Sequence, residues 1–242
     1  MIRALQAPGH DAASTAFQRW WSSQGDWVEA PNQRRDGESG VQLIRPRDPD
    51  LPLLFCKRQV GHLYRSLRYP LGRPTVQREW CAISAFEQLG VRVPEIVYRG
   101  LNHKGGQWQA LLVTKELSGF VSLENWYRHG APARWGEAVH RAMLRELGAV
   151  LAVVHRARWQ HGCCYPKHIF IRVQGNDEAA RVEIALLDLE KSRRRLRRAS
   201  ASRHDLRQLY RHREDMPLAD LALFQAAYSA AFTQSGARAD AP

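Results

Sequence analysis

The chain has 242 residues, 44% of them apolar and eight of them Trp. That suffices for one large domain or two small lobes, and it excludes disorder outside the ends. No apolar run approaches the roughly 18–20 residues of a membrane-spanning helix, and Met1-Ile-Arg-Ala-Leu-Gln-Ala lacks a stretch of signal-peptide length, so a cytoplasmic protein is expected. The formal charge of +12 favours an anionic partner: nucleotide, phosphorylated glycan, lipid headgroup or nucleic acid. Only five of the 36 basic residues are Lys, however, an Arg bias that genome composition alone can produce. Cys56, Cys81, Cys163 and Cys164 have no paired CxxC spacing. That pattern argues against zinc and, without an export signal, for reduced thiols.

Residues 1–15 lack periodicity and are expected to be loose. Phe17 to Val28, rich in Trp, reads as a short helix or strand. Residues 32–40 are polar and read as a turn, followed by a strand at Val41–Ile44. A second turn over Arg45–Pro52 leads into a strand at Leu53–Val60. Thr75 to Leu89 is an amphipathic helix between Pro74 and Gly90, with Trp80, Ile83, Phe86 and Leu89 at helical spacing. Strands follow at Val93–Tyr98 and Gln107–Thr114, joined by a turn at residues 102–106. A short helix starts at Leu123, and Trp135 to Arg156 forms a long one. Short strands flank the turn at residues 174–177, the second ending at Asp188. Arg203–Arg211 and Leu218–Phe232 are helical. This order predicts an α+β protein with a sheet-rich N-lobe (1–116), a helical C-lobe (117–242) and a hinge near residues 114–120.

His161-Gly-Cys-Cys-Tyr-Pro-Lys-His168 and the later Leu187-Asp-Leu-Glu190 carry the most chemical information. Set beside the protein-kinase catalytic loop and its metal-binding Asp, the spacing fits. His161 takes the place of the loop His, expected to be a hub bonding backbone. His168 takes that of the loop Asn, near a second metal, and Asp188 that of the metal-binding Asp. Lys57, in an apolar strand, matches the Lys that reaches the α/β-phosphates, and Glu79, on the helix, its partner. The position of the catalytic base holds Cys163. A thiol can act as a base there only as a thiolate with a lowered pKa. Asp36-Gly-Glu-Ser-Gly40 is a two-glycine turn without the full phosphate-covering pattern. Arg193–Arg198 reads equally as a clamp for an anionic acceptor or lipid and as a solvated basic stretch.

Arg78-Glu-Trp-Cys-Ala-Ile83, the 161–168 block and Leu187–Glu190 together resemble the Kdo/WaaP lipopolysaccharide kinase family, its InaA-type members most closely, over about residues 34–211. The resemblance implies a two-lobed protein-kinase-like fold. It also implies ATP and Mg2+ as cofactors, and phosphate transfer to a heptose hydroxyl of the lipopolysaccharide core at the inner face of the inner membrane. Lys57 would bind ATP, Glu79 would hold Lys57, and Asp188 would bind metal. Cys163 departs from the family's base Asp, which leaves open a catalytically impaired, nucleotide-binding scaffold or regulator. Nucleic-acid binding is the least favoured reading, since charge is its sole support.

Overall fold

The computed structural model describes residues 10–34, 37–67, 69–175, 180–213 and 215–234. The chain forms two compact units, residues 1–80 with 95–116, and residues 81–94 with 117–242. A single cut after residue 116 misplaces residues 81–94. The Leu186 N–H donates to the Arg92 carbonyl at 3.0 Å, and Phe86 packs edge-on against Trp159.

The first unit opens with α1 (His10–Trp21), so residues 10–15 are helical rather than loose. Ala-rich sequence favours the helix, and Phe17, Trp20 and Trp21 share one face. That face packs on Cys56, Leu111 and Val113. Strands β1 (Asp26–Arg34), β2 (Gly37–Ile44) and β3 (Leu54–Val60) follow. The expected polar turn over 32–40 is therefore mostly strand, and residues 35 and 36 at its centre lie outside the described residues. β4 (Leu63–Ser66) and β5 (Tyr69–Pro74) form a separate hairpin. Two Pro, one Gly and fully exposed Leu67 and Leu71 give it no period-2 pattern to read. After α2 (Val76–Gln88) come β6 (Ile96–Lys104) and β7 (Gln107–Lys115). The main sheet is antiparallel, in the order β1-β2-β3-β7-β6.

Strand periodicity joins β3 to α2. Lys57 and Gln59, two apart, face the same way. Gln59 Oε1 accepts from the Val76 N–H at 3.0 Å, which satisfies one open donor of the first helical turn. Gln59 also bonds Thr75 Oγ1 at 2.9 Å. One turn along the helix, Glu79 meets Lys57.

In the second unit, β8 (Val121–Ser122) leads into α3 (Leu123–Arg128), capped by Ser122 Oγ, which accepts from the Asn125 N–H at 3.1 Å. α4 (Ala131–Arg156) starts four residues before the expected Trp135 and is kinked at Gly136. Its buried stripe, Val139, Met143, Leu147, Leu151 and Val154, keeps helical spacing. Then come β9 (Trp159–Gln160), β10 (Ile169–Gln174), β11 (Arg181–Leu186), β12 (Arg193–Arg194), α5 (Arg198–Arg211) and α6 (Leu218–Thr233). Of the expected turn at 174–177, residues 176 and 177 lie outside the described residues, as do 178 and 179. α4 packs on α6 so closely at Gly148 that a Cβ there would sit 2.7 Å from the Tyr228 backbone N. Trp126, His140, Tyr127 and Asp220 form a polar cluster under α4. Trp126 Nε1–H donates to His140 Nδ1 at 3.2 Å, and His140 Nε2 meets Asp220 Oδ2 at 2.8 Å.

Gly148→Val should lower unfolding free energy by about 1–3 kcal/mol, because overpacked interiors must shift backbone. Exposed Arg141→Ala should stay within about 0.5 kcal/mol of the parent. Urea denaturation of both variants checks this.

Candidate functional site

Lys57 Nζ donates to Glu79 Oε2 at 2.7 Å, with side chains only 16% and 12% exposed. Ion pairing at this depth is poor evidence for stability, since desolvation offsets much of the attraction. The pair does hold the ammonium in one place.

The loop 161–168 is organised by its backbone. Asp205, on α5 and fully buried, accepts from the His161 N–H at 2.6 Å and from the Gly162 N–H at 3.0 Å. His155 Nε2 meets the same carboxylate at 3.1 Å, and His155 Nδ1 meets the Tyr228 hydroxyl at 2.9 Å. Burial works to raise the Asp205 pKa. The hydrogen bond and charge of His155, the charge of His161 and the Gly162 N–H more than offset it, so the carboxyl stays below its usual range. Nothing in the spacing pointed to Asp205. An Asp inside a polar, Arg-rich helix reads as a surface charge, and its burial is the only signal.

His161 is buried. Its Nδ1 accepts from the Cys163 N–H at 3.2 Å, and its carbonyl accepts from Ser192 Oγ at 2.8 Å. Burial, which disfavours the imidazolium, pushes its pKa down to about 4. Gly162 has φ +85, and a Cβ there would lie 2.5 Å from the Lys191 carbonyl O. The Arg common at this kinase position does not fit this backbone.

β10 and β11 set the distance between the two ends of the motif. Ile169 pairs with Leu186, and the Leu187 N–H donates to the His168 carbonyl at 2.9 Å. His168 thereby comes beside Asp188 although twenty residues separate them, and His168 Nε2 lies 3.6 Å from Asp188 Oδ2. Asp188 has φ 59 and ψ 61, a left-handed conformation that Asp tolerates better than most residues. It precedes the 3-10 turn Leu189–Lys191 but makes no side-chain cap bond, so its carboxylate is not committed to helix capping. His168 Nδ1 must donate to the Cys163 carbonyl, 2.9 Å away, because a carbonyl only accepts. In the neutral ring the Nε2 lone pair therefore faces Asp188.

The Cys163 thiol is buried, with the Asp188 carboxylate and the Lys191 ammonium acting on it. Burial, then the Asp188 charge, pushes its pKa up to about 11, with Lys191 opposing. The lowered thiol pKa needed for base catalysis is the reverse of what this environment produces. Cys163, His168 and Asp188 donor atoms lie within 4.8 Å of one another. As three direct ligands the trio is not an oxygen cage, since only Asp188 supplies oxygen; Mg2+ would be held there by Asp188 with water and phosphate oxygens completing its octahedron. Cys164 is buried and outside the trio, its N–H donating to Gln208 Oε1 at 3.0 Å. The Gly37–Gly40 part of the two-glycine segment is β2 strand. In the basic run, Arg193–Arg194 pair with β9, and Leu196 is exposed.

The lipopolysaccharide kinase (Kdo/WaaP) family profile matches residues 18–228. The chain belongs to this family. It is 44% identical over 214 residues to the protein InaA of Escherichia coli (strain K12), covering 88% of this chain and 95% of that protein. Among solved structures it is similar to WaaP in complex with acyl carrier protein, with a TM-score of 0.68 and 21% identity, covering 95% of this chain and 89% of that one. The fold is mixed α/β and protein-kinase-like. Among the described residues, no helix is long and apolar enough to cross a membrane.

A neutral buried His161 makes stability pH-dependent. Its folded pKa of about 4 lies below the unfolded value of 6.5, so its contribution is fully present above pH 6.5 and is lost as pH falls toward 4. The loss should amount to about 3 kcal/mol between pH 7 and pH 4. Asp205, also shifted down, adds to the loss at still lower pH. In His161→Gln the difference in urea stability between pH 7 and pH 4.5 should be about 2 kcal/mol smaller than in the parent.

Proposed function

We propose that the protein is an ATP-dependent kinase that transfers phosphate to a hydroxyl of a lipopolysaccharide-core sugar, such as heptose, or of another anionic glycan. The observation that carries the proposal is the Lys57–Glu79 pair at 2.7 Å. Phosphoryl transfer needs a cation on the α/β-phosphates, and a helix carboxylate that fixes it is how kinases position that Lys. Asp188, free of capping duty, is the candidate ligand for the divalent ion the family implies, with His168 beside it. Were that ion Mg2+, water and phosphate oxygens would supply its remaining ligands, and no step is assigned to it. His161 acts through the backbone: it fixes the Cys163 N–H and so the position where an acceptor hydroxyl would be oriented. The proposed setting is cytoplasmic, with the protein peripheral at the inner membrane where such a sugar is presented. The positive charge supports an anionic acceptor.

Cys163 favours a second reading: a nucleotide-binding scaffold or regulator with little or no transfer. A protonated thiol cannot take the acceptor's proton. General-base assistance is worth about 10²–10⁴ in rate, while positioning and electrostatics still lower a loose transition state.

Transfer from γ-labelled ATP to core oligosaccharide separates the two readings. Under the first, the parent transfers slowly, Lys57→Ala and Asp188→Asn fall to background, and Cys163→Asp gains about 10²–10⁴-fold. Under the second, the parent does not exceed Asp188→Asn, yet ATP with a divalent ion raises its melting temperature. Absence of both transfer and shift would reject both readings.

A further inference from the structure

We infer that Cys163, His168 and Asp188 form a binding site for a borderline-soft divalent metal ion of the zinc or cobalt type, with the Cys163 sulfur as a ligand. The inference stands whether or not the protein transfers phosphate. Thiolate, imidazole and carboxylate are the donors that such ions take, and the thiolate discriminates against Mg2+ and Ca2+. Three protein ligands with an open fourth position is the usual plan of a reactive rather than a purely structural site.

Geometry supports the assignment independently of donor type. The three donor atoms lie within 4.8 Å of one another. The 3.6 Å between His168 Nε2 and Asp188 Oδ2 is too long for a hydrogen bond. Two ligands on one tetrahedral ion at zinc-like distances stand about 3.4 Å apart. On an octahedral magnesium they would stand about 2.9 Å apart. The outer shell fits as well. Metal-bound His almost always gives its other ring N–H to a carbonyl or carboxylate, and His168 Nδ1 donates to the Cys163 carbonyl at 2.9 Å. That bond ties one ligand to the backbone of another. The Cys163 N–H is itself held by His161, so the sulfur's carrier is fixed from both sides. Binding would form a metal–sulfur bond and release the thiol proton to solvent. Lys191, against the thiol, would partly balance the two anionic ligands.

The spacing of the cysteines argues against zinc, because zinc patterns look for ligands close in sequence. Here two come from one loop and the third from beyond a hairpin.

The test uses the full chain, without nucleotide, titrated with Co2+. A near-ultraviolet thiolate-to-cobalt charge-transfer band is expected, with strong visible bands typical of tetrahedral cobalt. Zn2+ near stoichiometry should bleach them, and a large excess of Mg2+ should not. Cys163→Ser should abolish the charge-transfer band, whereas Cys81→Ser, at an exposed position, should keep it. His168→Gln should weaken Co2+ binding by about tenfold or more, and it serves as the deciding variant should Cys163→Ser fail to fold. Absence of the band, its survival in Cys163→Ser, displacement by Mg2+, or unchanged affinity in His168→Gln would each overturn the inference. Since no nucleotide enters, a protein that binds Co2+ but transfers no phosphate keeps this inference and loses the kinase proposal, and the converse also holds.

Discussion

The carboxylate of Asp205 is the constraint on which the candidate site depends. It is fully buried, and it receives the backbone N–H groups of His161 and Gly162 together with the ring of His155. A buried carboxylate without such donors would be driven toward its neutral form. With them it stays ionised and anchors the loop to α5. His155 extends the same network to Tyr228 on α6, so α4, α5 and α6 all bear on the placement of two backbone amides. Position in the loop then passes outward by short steps: Gly162 turns against Lys191, His161 holds the Cys163 amide, and Cys163 holds the His168 ring.

The second determinant is a strand register. Pairing of Ile169 with Leu186 leaves no freedom in where Asp188 falls relative to His168. A slip by one residue would turn every side chain of the hairpin over, so burial of Ile169, Ile171, Ile184 and Leu186 fixes the chemistry at its end. In the other unit, the two-residue period of β3 and the three-residue step of α2 jointly place Lys57 against Glu79. Both pairings are therefore consequences of core packing rather than of local attraction between the charged groups.

The position that the resemblance gives to a base Asp holds Cys163 in this chain. An Asp at residue 163 would add a second carboxylate to Asp188 and His168, a hard, oxygen-rich set suited to orienting a hydroxyl. Cys163 gives a buried thiol instead, held protonated first by burial and then by the charge of Asp188.

Much was legible in the residues themselves. The amphipathic pattern of α2 and α4 and the strand content of β3, β7 and β11 follow from local periodicity, which acts over a few residues and survives in any fold of this class; the ordered series Lys57, Glu79, His161, His168, Asp188 is an expectation that rests on its match to kinase motif order. The β4–β5 hairpin was not legible, since exposed leucines and two prolines carry no alternation. Helix α1 was hidden because the sequence of its first turns is small and polar residues with no apolar periodicity before Phe17. Asp205 was invisible for a different reason: whether an Asp is a surface charge or the buried anchor of a loop depends on partners 40 to 50 residues away. The protonation of Cys163 and its company of His168 and Asp188 were likewise decided only in three dimensions. The sequence names the donors, but burial, charge and the 3.6 Å separation arise when a loop and a hairpin end are packed together.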